Sequence, residues 1–416
     1  MASVLDFSPA PDPQPYDPQR LRRQIPSLRS GIAHFDGPGG TQTPLAVATA
    51  IADSLLGPLS NRGTATVPQQ RADSFVVSAR LAIADLVGAH SQDVVFGRSM
   101  TQLTFDLART LAQDWGPGDE VVVSRLDHDA NVRPWVIAAE RAGATIRWVD
   151  FDPDTTELPV EAFTAVVSSR TRLVAVTAAS NLIGTRPDIA AISHLAHQSE
   201  ALMFVDGVHL TAHSLPDVGA MGADFFVCSP YKFLGPHLGA LVADHATLQS
   251  LFPDKLAPST MDVPERFELG TLPYELLAGV TAAVDVLANL VPPADTANDE
   301  TRRSNLTRSF AALEAYEESL LDYLVSGLTT MPRVQIYSRA IHRTPTVLFS
   351  VDGLVSAEVS PRLADRNVEA PSGSFYALEC SRHLGLDDHG AIRVGLAPYS
   401  TRDDVDRLFN ALADLI

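Results

Sequence analysis

The sequence predicts an α/β protein: a large domain with a mostly parallel sheet covered by helices on both faces, followed by a smaller α+β C-terminal domain. Three observations carry this. Between residues 93 and 244, short runs rich in Val, Ile and Phe alternate with segments of helical period, the order that yields parallel strands and crossover helices. The runs at 201–206 and 223–229 are apolar at nearly every position, as strands buried on both faces are. Past Val291 the pattern changes to one long charged helical run and then to strands interleaved with short helices.

The expected organisation is an N-terminal arm over residues 1–30, a large domain over 31–290 and a small domain over 291–416. Prolines at 9, 11, 13, 15 and 18 bar a helix or central strand from the first 18 residues, and the arm is expected to pack with the small domain. Residues 31–40 read as a short strand and a glycine turn, where backbone approaches a ligand closely. Helical spacing marks 45–56 and 69–87, with a polar loop containing Arg62 between them. A strand at 93–97 leads into Arg98-Ser99-Met100-Thr101 and a helix running to Trp115. Amides at such a helix start, with the hydroxyls of Ser99 and Thr101, suit a phosphate; plain N-capping by Ser99 is the structural alternative. Strands at 121–124, 145–150 and 172–178 follow, with helices at 134–142, from about 160, and at 189–199. Beyond Lys232 come a turn, a further strand, an irregular stretch at 250–273, and helices at 274–290 and on to about 326. The tail reads as strands at 334–337, 346–351 and 391–396, helices at 356–366 and 374–384, and a last helix from Thr401 with Asp404 completing a capping-box variant.

Composition narrows the partners. Fifty Asp and Glu against 31 Lys and Arg give a net charge of −19, which opposes long-range attraction to nucleic acid or an anionic membrane, so any phosphate must be held locally. Only Cys228 and Cys380 are present, so neither a disulfide framework nor a cysteine-rich metal site is expected. The N-terminus lacks a basic stretch before an apolar core, and no run of about 18 apolar residues occurs; no signal peptide or membrane span is expected, and a cytoplasmic location is.

Asp206 ends one buried run and Lys232 follows the other. If the runs share a sheet, both residues lie near the carboxyl ends of its strands, where open α/β sheets hold ligands. The pair suits pyridoxal 5'-phosphate: a lysine holds the aldehyde as a Schiff base, and a carboxylate keeps the pyridine nitrogen protonated, making the ring an electron sink. The alternative is a buried structural Asp beside a surface Lys.

The motifs around this pair resemble the cysteine desulfurase branch of the class V aminotransferases, pyridoxal-phosphate enzymes of fold type I, over nearly the whole chain from Ile32. Val205-Asp206-Gly207-Val208-His209 is similar to the family's Val-Asp-Gly-Ala-Gln, and Cys228-Ser229-Pro230-Tyr231-Lys232 to its Ser-Gly-His-Lys. Asp127-His128-Asp129-Ala130-Asn131 and Ser180-Asn181-Leu182-Ile183-Gly184 resemble two further elements in the expected order. The resemblance implies that Lys232, His128 and Asp206 are catalytic, with His128 stacked on the cofactor ring and Asn181 and His209 near its phenolic oxygen. It implies a phosphate cup of Ser99, Met100, Thr101, Ser229 and Tyr231, completed across a homodimer with shared active sites by Gly270 and Thr271 of Arg266-Phe267-Glu268-Leu269-Gly270-Thr271. Arg393 and Arg62 match the family's substrate arginines, and no metal is implied.

The chain departs from the family where sulfur chemistry is decided. Desulfurases carry a cysteine nucleophile on Arg-x-Gly-His-His-Cys-Ala, but the matching stretch is Pro371-Ser372-Gly373-Ser374-Phe375-Tyr376-Ala377, with Tyr376 on the cysteine position. The expected function is therefore that of a pyridoxal-phosphate-dependent lyase or transferase acting on an amino acid or an amino-acid-like compound. Desulfurase-like or carbon–sulfur lyase chemistry without a conventional persulfide cysteine comes first. A class V aminotransferase or epimerase is the alternative, and a non-catalytic scaffold of the same fold comes third.

Overall fold

The computed structural model describes residues 16–292 and 301–415. The prolines at 9, 11, 13 and 15, and residues 293–300 just past the expected domain boundary, lie outside the described residues. The strands are β1 (Ala33–His34), β2 (Val94–Gly97), β3 (Glu120–Ser124), β4 (Thr145–Val149), β5 (Thr171–Thr177), β6 (Leu202–Asp206), β7 (Phe225–Cys228), β8 (Gly239–Ala243), β9 (Val334–Ile336), β10 (Thr346–Val351), β11 (Val368–Glu369), β12 (Ser372–Gly373) and β13 (Ala391–Gly395).

Among the described residues these form a seven-stranded sheet in the order β2-β8-β7-β6-β5-β3-β4, a four-stranded sheet in the order β12-β13-β10-β9, and the pair β1-β11. In the large sheet only β8 runs against the others, so the carboxyl ends of β2, β3, β5, β6 and β7 share one edge. The pleat divides the side chains between two cores: Val122, Val174, Val205 and Phe226 face the helices Val67–Val87, Ile189–Gln198 and Tyr274–Ala288, while Val121, Val123, Ala175 and Phe204 face Met100–Leu111 and Arg133–Ala142. Both faces are covered, which is why the strand sequences are apolar throughout.

The four-stranded sheet is antiparallel and carries its own core of Val347, Phe349, Val394, Leu408 and neighbours. The helix Arg302–Thr329 spans both units: Leu306, Phe310 and Leu313 lie in the large core, and Leu320, Leu324 and Leu328 in the small one. β1 pairs with β11, and Ala33 and Phe35 join the small core, so part of the chain expected in the large domain packs with the small one. The end of the expected arm docks there too, through the Tyr16 hydroxyl on the Pro398 carbonyl (2.6 Å) and Arg22 on Asp404 (2.8 Å).

Two expectations are corrected. Pro18 starts the helix Pro18–Arg22 instead of barring one, because the first helical turn needs no amide from it, and Asp17 caps the end. The helix expected over 374–384 begins only at Leu378: residues 372–373 form β12, and Phe375 and Tyr376 have φ of 51° and 60°.

Candidate active site

The side chains of Asp206, His128, Asn181 and Lys232 sit at or shortly past the carboxyl ends of strands of the large sheet, while Arg393 comes from β13 of the small one. In register, Thr177 of β5 lies beside Asp206 of β6, which lies beside Val227 of β7, and a 3-10 turn Pro230–Lys232 follows Ser229. His128 follows β3, Asn181 follows β5, and the helix Met100–Leu111 follows β2. The start of that helix is seated by Gly239: a Cβ there would meet the Met100 nitrogen at 2.3 Å. Met100, Thr101, His128, Thr177, Asn181, Asp206, His209, Tyr231 and Lys232 line one cavity.

Lys232 is buried and donates from Nζ to the Pro38 carbonyl (2.6 Å). That carbonyl lies in the glycine turn, held close because Gly395 leaves room for the Pro38 ring. Burial, then the charge of Arg393, pulls the Lys232 amine down to about 8. Burial pushes the Asp206 carboxyl up to about 6, against the pull of the Val208 amide on Oδ1 (2.9 Å) and the charge of Lys232. His128 is lowered to about 3 by burial and then by Lys232 and Arg393, and its Nδ1 accepts from the Ala130 amide (3.0 Å), so its ring is neutral and fixed. Beneath it, Asp127 is held by Ser124 and Asn131, and Asn131 by Trp135.

Arg393 is buried and crowded. It donates to the Asn181 carbonyl (3.1 Å), pairs with Asp36, and lies 3.7 Å from the centre of the Phe375 ring. Asn181 donates to the Phe375 carbonyl (3.0 Å). His209 bonds through Nε2 to the hydroxyls of Thr344 (2.9 Å) and Thr346 (3.0 Å), and burial holds its pKa well below the ordinary value.

Other expected residues stand elsewhere. Ser99 is the N-cap of its helix, accepting from the Gln102 amide (3.1 Å), and Ser229 is buried behind the turn. Tyr231, by contrast, does line the cavity, with its ring stacked on His237 (4.7 Å, 13°). Arg62 lies outside the cavity, paired with Asp73 and Glu265 at 2.8 Å each, and Gly270 and Thr271 are exposed. Within one chain these three are not brought to the others. Sequence reasoning marked the glycine turn at 31–40 as a close backbone approach without singling out Asp36 or the Pro38 carbonyl in it, and it missed Thr344 and Thr346, which come from a distant segment and carry no local signal. Cys228 and Cys380 are fully buried; burial pushes the first thiol up to about 12 and the second further.

A lysine and a carboxylate on neighbouring strand ends, above a large sheet with one reversed strand and beside a small antiparallel domain, define the fold of the pyridoxal-phosphate cysteine desulfurases. The chain belongs to the class-V aminotransferase family, whose model matches residues 33–408, and within it is cysteine desulfurase-like. It is 36% identical to an uncharacterized protein of Mycobacterium tuberculosis, over 96% of this chain and 99% of that one. It is 29% identical to a cysteine desulfurase of Dickeya dadantii, over 95% and 96%. The crystal structure of the Escherichia coli cysteine desulfurase CsdA superposes with a TM-score of 0.83 at 24% identity, covering 96% of this chain and 98% of that one.

Proposed function

We propose that this chain is a pyridoxal-phosphate-dependent enzyme that cleaves a carbon–sulfur bond of an amino acid without passing sulfur to a cysteine of its own. The observation that carries the reading is Lys232, a buried amine near pKa 8 in the cavity that Asp206 and His128 also line. The cavity fits the cofactor: two buried polar atoms there, Asn181 Oδ1 and His209 Nδ1, have no partner, and a ring hydroxyl can donate to the first while the second, as N–H, can donate to its oxygen. When bound, the cofactor supplies an electron sink for the substrate α-carbon.

Lys232 anchors the cofactor and then takes the proton from the α-carbon, a task a neutral amine performs near its own pKa. With the cofactor bound, Asp206 would keep its ring nitrogen protonated, the neutral His128 ring would pack on it, and the amides at Met100 and Thr101 would hold its phosphate. Arg393 receives the substrate carboxylate, exchanging it for Asp36. Gly270, Thr271 and Arg62 complete the site of a second copy, consistent with exposed Leu55, Leu56, Val67 and Leu81 on the helices Leu45–Leu56 and Val67–Val87 beside them.

The test is to load the purified protein with cofactor and screen amino acids for sulfide or thiol, pyruvate, ammonium and keto acids. Sulfur release with pyruvate supports the reading. Keto acids formed only with an amino acceptor make the protein an aminotransferase, inversion of the α-carbon makes it an epimerase, and failure to acquire a visible absorption band overturns the assignment.

A further inference from the structure

The loop that departs from the desulfurases is built with care. Phe375 and Tyr376 both hold left-handed backbone, which two consecutive residues with side chains rarely do and which surrounding contacts must maintain. Those contacts all lead to the active site. The Phe375 carbonyl accepts from Asn181 (3.0 Å), the Tyr376 carbonyl accepts from the Asp129 amide next to His128 (2.7 Å), and the Phe375 ring lies under the Arg393 guanidinium. The backbone twist leaves the Tyr376 ring 75% exposed, tilted by 31° to the His128 ring with centroids 5.5 Å apart. A large aromatic side chain exposed next to a cofactor cavity is not serving the core.

The charges nearby narrow what this surface receives. Arg133 is paired with Asp129 (2.9 Å), Arg125 with Asp150 (2.7 Å) and Glu379 (3.0 Å), and Arg393 with Asp36. Arg133 and Arg125 are each engaged by carboxylates of the chain and Arg393 is taken by the substrate α-carboxylate, so no cation is set aside for an acidic side chain, whereas the exposed Tyr376 ring favours a flat group.

We propose that Phe375 and Tyr376 form the side-chain subsite and that the substrate is a cysteine whose sulfur carries a flat aromatic or heteroaromatic group. This rests on the carbon–sulfur lyase reading and names its substrate class. With both thiols buried, the sulfur departs on its own substituent. Lys232 takes the α-proton, the Cβ–S bond breaks with its electron pair going to sulfur, and the aromatic thiolate leaves. The released enamine adds water and loses ammonium to give pyruvate, with no net oxidation. An aromatic substituent lowers the pKa of the leaving thiol, which speeds its departure.

The experiment compares S-phenyl-L-cysteine with S-methyl-L-cysteine as substrates, and L-phenylalanine with L-alanine as binding probes read by the cofactor spectrum, on the cofactor-loaded protein. Expected is at least a tenfold preference for the aromatic member in each pair, with thiophenol and pyruvate formed in equal amounts. Tyr376→Phe keeps the preference. Tyr376→Asn, which tolerates left-handed backbone and so preserves the loop, reduces the binding preference for L-phenylalanine over L-alanine below threefold while cofactor uptake persists, whereas the cleavage preference keeps the part owed to the better leaving group. Cleavage of both thioethers without preference, or a binding preference for L-phenylalanine over L-alanine that survives Tyr376→Asn, overturns the subsite. Tight L-phenylalanine binding without cleavage of either thioether supports the subsite and overturns the lyase reading instead.

Discussion

Replacing Asp206 by Asn separates what this residue costs the fold from what it gives the site. Its carboxyl titrates near 6 in the folded chain against 3.8 in an exposed one, because it is taken out of water with one amide bond as compensation. Two pKa units correspond to about 3 kcal/mol of disfavoured ionisation. The sign follows from proton counts. Between pH 4 and 6 Asp206 binds more protons in the folded chain than in the unfolded one, so its contribution to stability falls as pH rises through that window and the full cost persists above it. Asn keeps an oxygen for the Val208 amide and carries no charge, but burying an amide costs something itself, so the net gain above pH 6 is about 1–2 kcal/mol. For a chain of this size that raises the melting temperature by about 2 °C. The assay is thermal unfolding of cofactor-free protein at pH 4 and pH 8. The variant is more stable at pH 8 and equal at pH 4, yet holds the cofactor less tightly. A variant that is destabilised at pH 8, or shifted equally at both values, refutes the account of Asp206 as a buried charge retained for the ring nitrogen.

Lys232→Ala abolishes the visible band of the lysine-bound cofactor and lowers turnover by at least a thousandfold; full activity in that variant sinks the assignment. In the wild type, the rate of cofactor capture by the apoprotein rises with pH to a midpoint near 8, where the buried amine becomes neutral, and a midpoint near 10 contradicts its burial. Cys380→Ser keeps turnover within about threefold, a change under roughly 1 kcal/mol in transition-state stabilisation, and substrate-dependent persulfide on Cys380 by mass spectrometry shows the opposite. Arg393→Ala raises the amino-acid concentration for half-saturation far more than it weakens cofactor binding; equal loss of both marks Arg393 as structural.

The strand order along the large domain was legible because each strand is a short apolar run closed by turn residues, and burial on both faces writes that pattern without help from distant segments. Asp206, which closes β6, and Lys232, shortly past β7, were legible for the same reason, whereas His128 and Asn181 were marked by the motifs that resemble the family, and the strands bring all four to one edge. The partners of those residues were not. Lys232 meets the carbonyl of Pro38, Arg393 meets Asp36, and His209 meets Thr344 and Thr346, contacts that span 135 to 357 residues of sequence. Such contacts depend on how the small domain docks, and docking is decided by side-chain shape over the whole interface rather than by any local period. The Phe375-Tyr376 turn shows the limit most sharply. Residues 374–384 have helical spacing, and read alone they form a helix; the carbonyls of Phe375 and Tyr376 are instead held by Asn181 and Asp129. Only the folded chain supplies those two donors, and with them the left-handed backbone that turns Tyr376 toward His128.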